Sequence, residues 1–472
     1  TTYLNYATLM IFGYLRDWFR LIVPSSNTAP DGYAPLLKSF EDFYTRRMYL
    51  RISDCFNRPI ASGPGAYIDV IKRELDYANK KITTCDETIN CLNLASYNYL
   101  GFAENPKHVT EDVFKTLETY GVSTCSPACE YGYTPVHKAL EQYVARFVGK
   151  EEAIVFSMGF ATNSTTIPAL VGKGDLIISD ELNHSSIVSG ARASGARIAV
   201  FKHNDTKSLE KTVRDAIING QPRTKRPWKK IFIFVEGIYS MEGEMVHLEE
   251  VVRIKKKYKC YLYVDEAHSI GAIGRTGRGI CEHCCVDPAD VDILMGTFTK
   301  GFGSIGGYIA SSKDVIQHLR DNSFAPLYGS TLPVACAQQA LSALKVITGE
   351  DGTDIGQQKL LRLKQNANFF RDGLRKLGFE VIGDEDSPVV ITMLYNPAKM
   401  PGFSRESLKR GLAVVVVGSP ATEIIESRVR FCLSAAHTIE DLEKALQKLD
   451  EVGDYTLTKY KSWSSQLKSI LL

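Results

Sequence analysis

Two short clusters of reactive side chains each follow an apolar run in the middle of the chain. The tetrapeptide DEAH at 265–268 ends one run, and Lys300 lies in the segment GTFTKGFG that ends another. A lysine buried among glycine and hydroxyl residues loses part of its preference for the charged form, which leaves a nucleophilic amine. Pairing with the carboxylate of Asp265 and the imidazole of His268 favours a catalytic lysine over the alternative, an ordinary surface-loop lysine.

The DEAH tetrapeptide also occurs in nucleotide-driven helicases, which need a G-x-x-x-x-G-K-[ST] loop to bind phosphates. The Gly-Lys pairs of this chain, at 149–150 and 172–173, are followed by Glu and Gly. With 56 basic and 54 acidic residues the net charge is +2, which gives no general attraction to nucleic acid. The sequence therefore argues against a helicase and predicts no nucleic-acid partner.

The cysteines indicate neither a disulfide scaffold nor a metal site. Their number, 11, is odd and they are scattered along the chain, as is typical of a reducing compartment. Cys281, Cys284 and Cys285 surround His283 with partial zinc spacing, but a structural zinc site needs four ligands and no second pair follows. We expect a helix end with buried thiols there.

The residues that would position the reactive clusters form a regular alternation of strands and helices. Between 153 and 312, strand-like apolar runs begin at 153, 176, 197, 230, 260, 292 and 306. Several are apolar almost throughout, as strands buried on both faces are. The alternation predicts an α/β fold with a mostly parallel sheet, whose ligands bind at the carboxyl ends of the strands. Both clusters lie at such ends.

The two ends of the chain follow other patterns. From about Gly349, helices predicted at 357–376 and 438–452 enclose short strands, which indicates a smaller α+β domain. Residues Tyr3–Leu15 carry no charge, but this run is shorter than the ~20 residues of a perpendicular membrane span. It favours a membrane-surface helix, followed by a linker over Pro24–Pro35; a tilted span and a helix packed on the protein's own core stay open as alternatives.

Taken in order, the two clusters and three further motifs resemble the signatures of the α-oxoamine synthases. The further motifs are SYNYLG at 96–101, DELNH at 180–184 and EGIYSMEG at 236–243. Members of this family are fold type I enzymes that use pyridoxal 5′-phosphate (PLP) to join an amino acid to an acyl-CoA. Within the family, the chain is most similar to the lysine-bearing catalytic subunits of eukaryotic serine palmitoyltransferases.

The resemblance implies a PLP-dependent fold type I α/β architecture in four parts. These are an N-terminal hydrophobic, membrane-associated segment with its linker, a substrate- and dimer-contact region, a large PLP-binding domain with a mostly parallel sheet, and a smaller C-terminal α+β domain with a tail. They would occupy residues 1–37, 38–107, 108–348 and 349–472.

The resemblance also implies four catalytic residues. Lys300 would hold PLP as an imine, and Asp265 would pair with the pyridine nitrogen so that the ring accepts electrons. His268 would bond the 3-oxygen of the ring, and His184 would stack on its face. Further cofactor contacts are implied for Ser240, Thr297, Gly159 and Phe160, the last two where a helix N-terminus suits the phosphate. Substrate contacts are implied for Arg430, Asn98, Tyr99 and Ser330.

The implied activity is the decarboxylating condensation of L-serine with a long-chain acyl-CoA to a 3-keto long-chain base. The implied partners are a companion subunit without the lysine, small regulatory membrane proteins and the membrane surface. The implied location is the endoplasmic reticulum membrane, with the catalytic body facing the cytosol. Departures from the family pattern at Pro127-Ala128, Gly301 and Ser419 leave two alternatives open: a divergent, weakly active partner or regulatory subunit, and an α-oxoamine synthase for another amino acid or acyl-CoA.

Overall fold

The computed structural model describes residues 2–22, 33, 49–76 and 81–461. Within them the chain forms fourteen strands: Tyr67–Asp76 (β1), Lys81–Asn93 (β2), Glu152–Phe156 (β3), Leu176–Asp180 (β4), Arg197–Phe201 (β5), Ile231–Glu236 (β6), Tyr261–Asp265 (β7), Ile293–Thr297 (β8), Gly307–Ser311 (β9), Val381–Ile382 (β10), Val389–Met393 (β11), Leu412–Ala413 (β12), Val415–Val417 (β13) and Arg428–Cys432 (β14).

Fourteen α-helices accompany the strands in the same part of the chain, besides short 3-10 turns. They are Thr2–Ile22 (α1), Lys107–Tyr120 (α2), Pro135–Val148 (α3), Gly159–Leu170 (α4), Ser185–Ser194 (α5), Thr206–Asn219 (α6), Leu248–Tyr258 (α7), Ile280–His283 (α8), Lys313–Asn322 (α9), Phe324–Tyr328 (α10), Val334–Thr348 (α11), Ile355–Lys376 (α12), Lys399–Lys409 (α13) and Ile439–Thr456 (α14).

A seven-stranded sheet in the order β3–β9–β8–β7–β6–β4–β5 forms the centre of the molecule. Neighbours pair in parallel from β8 to β5, and only β9 runs against the other strands of this sheet. Both faces of this sheet are covered, so alternate residues of β6 pack into two different apolar clusters. Ile233 and Val235 belong to one cluster, and Phe232 and Phe234 belong to the other. The prediction of a mostly parallel sheet is confirmed, and all seven predicted runs form its strands.

The register of the parallel strands aligns the residues with which they end. Glu236 of β6 pairs with Asp265 of β7, and Asp265 pairs with Met295 of β8. The turn that follows β8 then brings Lys300 to the same edge of the sheet. The two reactive clusters therefore meet at the carboxyl ends of the strands, where ligands bind in sheets of this kind.

Two smaller sheets lie beside the large one. One is antiparallel in the order β10–β11–β14–β13, and the other joins β1, β2 and β12. Because β12 pairs in parallel with β2, the chain before the large sheet shares a sheet with the chain after it. The helix predicted at 357–376 is observed as α12, and the helix predicted at 438–452 is observed as α14. Helix α14 starts at a capping box formed by Thr438 and Asp441.

The N-terminal helix α1 covers the predicted uncharged run and the Trp- and Arg-containing stretch that follows. Its exposed apolar side chains are Ile11, Phe12, Tyr14, Leu15, Trp18 and Phe19. Within the described ranges, no helix combines the length and apolar character that crossing a bilayer requires. The predicted linker Pro24–Pro35 lies outside the described residues, except for Tyr33.

The cysteines around His283 match the sequence expectation only in part. Cys281 is buried, Cys284 is half-buried and Cys285 is exposed. The expectation of buried thiols is right for Cys281 and wrong for Cys285, because helix α8 has ended by Cys284 and the chain reverses at Cys285 with φ 53°. Over 2–22, 33, 49–76 and 81–461, no three His, Cys, Asp or Glu side chains form a group that could hold a metal ion.

We expect Gly296→Ala in β8 to destabilise the protein by about 1–3 kcal/mol through overpacking. A methyl group at this position would lie 2.4 Å from Cζ of Tyr308, whose ring is fully buried. Thermal unfolding followed by circular dichroism measures the effect. Gly402→Ala in α13 is the control, because its methyl group would meet Thr456 Cγ2 at an ordinary 3.6 Å. An equal loss of Tm in the two variants would contradict the packing argument.

Candidate active site

Lys300 lies in the turn after β8, at the carboxyl edge of the large sheet. Its Nζ is 5.6 Å from the centre of the Tyr97 ring. Burial lowers the pKa of Lys300 to about 8, while the carboxylates of Asp265 and Glu236 act in the opposite direction and favour the ammonium form. A substantial fraction of the amine is therefore neutral at mildly alkaline pH and available as a nucleophile.

Asp265 ends β7 with its side chain buried. Asn163 Nδ2 donates a hydrogen bond to Asp265 Oδ2 at 2.7 Å, and the amide of Ala267 donates to Oδ1 at 2.8 Å. Asn163 is itself held, because the hydroxyl of Tyr263 donates to Asn163 Oδ1 at 2.6 Å. Two donors thus fix the orientation of the carboxylate, as an ion-pair partner for a protonated ring nitrogen requires.

His268 is buried three residues after Asp265 along the chain. Its Nδ1 lies 2.7 Å from the hydroxyl of Tyr99, and its ring meets the Tyr97 ring edge-on at 5.1 Å between centroids. Burial, together with the positive charge of Lys300, lowers the pKa of His268 well below its usual value. The imidazole is therefore neutral at pH 7.

His184 caps the N-terminus of α5 and stands at the end of the DELNH motif. Its Nδ1 lies 2.7 Å from Ser186 Oγ, and its amide donates to Glu236 Oε1. The residue is exposed, and the Phe160 ring approaches it edge-on at 6.3 Å between centroids. A fixed imidazole with an accessible ring suits stacking against a planar ligand.

Gly159 begins helix α4 three residues after the end of β3, and Phe160 follows it. A side chain at Gly159 would meet Thr297 Cγ2 at 3.1 Å, so the first turn of α4 lies directly against the end of β8. The first amides of a helix have no acceptor within it and, with the helix dipole, attract anions. The Thr297 and Thr299 hydroxyls, 3.2 Å apart, lie beside this helix end, and Ser240 is buried in the loop after β6.

Arg430 of β14 brings a buried positive charge to the same cleft. Its guanidinium carbon lies 4.6 Å from the centre of the Tyr97 ring, and its Nη1 lies 3.9 Å from Met241 Sδ. Arg430 Nε is buried without a hydrogen-bond partner. The neighbouring Arg428 is by contrast paired with Glu242 at 3.1 Å. Within the part of the chain that the structure describes, Arg430 makes no ion pair, which leaves it ready for an external carboxylate.

The predicted substrate residues Asn98, Tyr99 and Ser330 have different surroundings in the structure. Asn98 Nδ2 donates to the Pro64 carbonyl at 2.9 Å and its Oδ1 accepts from a backbone amide, so its polar atoms serve the fold. Tyr99 is completely buried against His268. Ser330 is exposed and lines a separate cleft of about 740 Å³, beside Cys129, Tyr133 and Arg320. Their direct contact with substrate stays a prediction.

Three residues of the site received no role from the sequence. Tyr97 packs against Lys300, Arg430 and His268, Asn163 fixes Asp265, and Glu236 fixes the backbone of His184. Tyr97 and Glu236 lie within motifs that were recognised, and Asn163 follows Gly159 by one helical turn on the same face of α4. That spacing is the sequence feature that could have placed Asn163 near the cofactor site.

The residues that the structure brings together suit the cofactor that the sequence predicts. A nucleophilic amine, an oriented carboxylate, an accessible imidazole and a helix N-terminus match the aldehyde, pyridine nitrogen, ring face and phosphate of PLP. The unpartnered Nε of Arg430 provides an independent sign that this cleft takes an anion. Lys300, Asp265, His184 and His268, with the start of α4 and Thr297, could therefore hold PLP.

Comparisons with known proteins match nearly the whole chain. A family model for aminotransferase class I and II matches residues 89–449. Long chain base biosynthesis protein 2a of Arabidopsis thaliana is 57% identical, covering 98% of this chain and 94% of that protein. Serine palmitoyltransferase 2 of Dictyostelium discoideum is 54% identical, covering 97% and 94%. A solved structure of SPT with a PLP internal aldimine is 26% identical with a TM-score of 0.76, covering 89% of this chain and 100% of that one.

These similarities extend over the strands and turns that carry the site. They confirm the fold type I architecture and the resemblance that the motifs indicated. The chain therefore belongs to the aminotransferase class I and II family and, within it, to the group of long chain base biosynthesis proteins and serine palmitoyltransferases.

Proposed function

We propose that this chain is the lysine-bearing, PLP-dependent catalytic subunit of a serine C-palmitoyltransferase. It condenses L-serine with palmitoyl-CoA to 3-ketosphinganine, the first step of sphingolipid biosynthesis. A carbon–carbon bond forms between the serine α-carbon and the acyl carbonyl carbon, and the thioester bond breaks to release CoA. The serine carboxylate leaves as CO2, and a proton takes its place.

One observation carries this proposal: Lys300 is buried with a lowered pKa that reflects the charges of Asp265 and Arg430, and its amine and the Arg430 guanidinium both approach the Tyr97 ring. A subunit with only a scaffolding role has no need of a buried lysine there, because burying an amine costs stability. The names of the relatives, long chain base biosynthesis protein and serine palmitoyltransferase, support the choice of reaction.

Each residue of the site would have a separate role in this reaction. PLP, when bound, supplies an electron sink for negative charge on the serine α-carbon. Asp265 holds the ring nitrogen protonated, and the start of α4 with Thr297 binds the phosphate. Arg430 binds the serine carboxylate through its planar guanidinium. As a neutral amine, Lys300 Nζ would accept the proton from the α-carbon as general base.

The setting of the enzyme forms part of the same proposal. Helix α1 rests on a membrane surface through its exposed aromatic and aliphatic side chains, with Trp18 at the interface. A companion subunit without the lysine, with small regulatory membrane proteins, completes the complex at the endoplasmic reticulum membrane. The catalytic body faces the cytosol. The family resemblance and the exposed face of α1 support this setting.

Lys300→Ala should abolish formation of the 3-keto product from serine and palmitoyl-CoA in the complex with the companion subunit. Borohydride reduction followed by peptide mass spectrometry should also map the PLP adduct of the unsubstituted protein to Lys300. Lys313→Ala, which alters an exposed lysine at the start of α9, is the control and should keep full activity. Retained turnover without Lys300, or an absent adduct, would favour the alternative of a partner or regulatory subunit.

The rate at which the cofactor-free protein captures PLP should rise with pH and level off above about pH 8. The pKa of Lys300 is lowered from 10.5 to about 8, so the amine is protonated and not nucleophilic below that pH, and neutral above it. Stopped-flow absorbance across about pH 6.5–9.5 measures the rate. A rate still rising steeply at the upper end would show that the amine titrates like an exposed lysine.

Arg430→Lys should raise KM for serine by about tenfold or more, because an ammonium group cannot bind a carboxylate through two parallel hydrogen bonds. The circular dichroism spectrum and Tm should stay close to those of the unsubstituted protein, since Arg430 makes no ion pair within the described chain. Arg428→Lys is the matched comparison: it removes the guanidinium that bonds the Met241 carbonyl and Glu242 together, and should lower Tm more than it changes KM. If Arg428→Lys raised KM and Arg430→Lys lowered Tm instead, the roles given to the two arginines would be wrong.

A further inference from the structure

The contact between Tyr99 and His268 determines which nitrogen of the imidazole carries the proton. The Tyr99 hydroxyl lies 2.7 Å from His268 Nδ1, and the two residues are 0% and 6% exposed. We propose that Tyr99 is a positioning residue whose hydroxyl donates a hydrogen bond to Nδ1 and so holds neutral His268 in the tautomer protonated at Nε2. This inference rests on the proposed function only where it concerns the cofactor.

The hydrogen bonds available to the two side chains disfavour the opposite arrangement. If Nδ1 carried the proton and donated to the Tyr99 oxygen, the hydroxyl proton would need an acceptor elsewhere. Across the described part of the chain, His268 is the hydrogen-bond partner of this hydroxyl, and the side chain is fully buried. A buried donor without an acceptor is strongly disfavoured. The hydroxyl therefore donates, and Nδ1 accepts.

The ionisation of the pair supports the same assignment. Burial raises the pKa of Tyr99 well above its usual value, so the hydroxyl stays protonated and can act as a hydrogen-bond donor. Burial and the nearby positive charges of Lys300 and Arg430 lower the pKa of His268 well below its usual value. A neutral imidazole carries one proton, and with Nδ1 acting as acceptor that proton must sit on Nε2.

With the tautomer fixed, the Nε2–H group of His268 is a hydrogen-bond donor at the cofactor site. His268 Nε2 has no hydrogen-bond partner within the described residues, so its N–H is available to the 3-oxygen of PLP. Without Tyr99, both tautomers become accessible, and in one of them Nε2 would face that oxygen with a lone pair. Tyr99 thus acts through His268 and does not need to touch either cofactor or substrate.

The tautomer can be measured on the full chain without cofactor. Long-range proton–nitrogen NMR spectra of protein labelled with 15N-histidine distinguish the two neutral tautomers, and loss of the signals in His268→Leu assigns them. We expect a single Nε2–H form in the unsubstituted protein and a mixture in Tyr99→Phe. A predominant Nδ1–H form in the unsubstituted protein would overturn the inference. This readout does not depend on whether the proposed reaction is correct.

A double-mutant cycle on PLP affinity tests whether Tyr99 acts through His268. Tyr99→Phe should weaken equilibrium binding of PLP about three- to tenfold, as expected for one hydrogen bond. In the His268→Leu background the same substitution should change the affinity no further, whereas additive losses would overturn the role assigned to Tyr99. Tyr308→Phe is the control, because its equally buried hydroxyl has no partner in the described structure. Failure of the unsubstituted protein to bind PLP would contradict the proposed function, and the NMR result would then decide the inference alone.

Discussion

Burial of the Lys300 amine is the constraint on which the rest of the site depends. A charged group is costly in a cleft of low polarity, and this cost moves the lysine toward the neutral form in which it is a nucleophile. Asp265 and Glu236 oppose the effect and Arg430 adds to it, so the pKa of about 8 reflects the whole charge arrangement. Each of these groups must be fixed, because a shift of any one would change the charge of the amine.

The loop after β6 is held from both sides, which keeps Met241 beside Arg430. On one side His203 lies 2.8 Å from Asp180 and 3.5 Å from Glu244 of the loop. Burial alone would lower the pKa of His203, but hydrogen bonds to these two carboxylates raise it to about 10, so the ring is charged and the pairing is ionic. On the other side, Arg428 of β14 donates to the Met241 carbonyl and pairs with Glu242. The position of the loop thus depends on both the large sheet and the small antiparallel sheet.

Local patterns predicted much of this molecule, and contacts between distant residues account for most of the rest. The seven strands and the clusters at their ends are readable because apolar periodicity is a property of neighbouring residues. The hairpin of β1 and β2 gave no such signal, since most residues of β2 are exposed or half-buried. The bonds from Asn163 to Asp265 and from Tyr99 to His268 join residues 102 and 169 positions apart, which no local pattern encodes.

The two arginines of β14 have different roles: one holds a loop in place, and the other is available to bind a ligand. Arg428 and Arg430 are two residues apart and therefore share a face of the sheet. Arg428 donates to the Met241 carbonyl at 2.8 Å and pairs with Glu242, so its charge is neutralised within the protein. Among the described residues, Arg430 contacts the thioether of Met241, the thiol of Cys432 and the face of Tyr97, which are weak partners for a guanidinium. Because Arg428 fixes the loop, Arg430 stays buried without an ion pair among the described residues, and its free Nε suits the carboxylate role proposed for it.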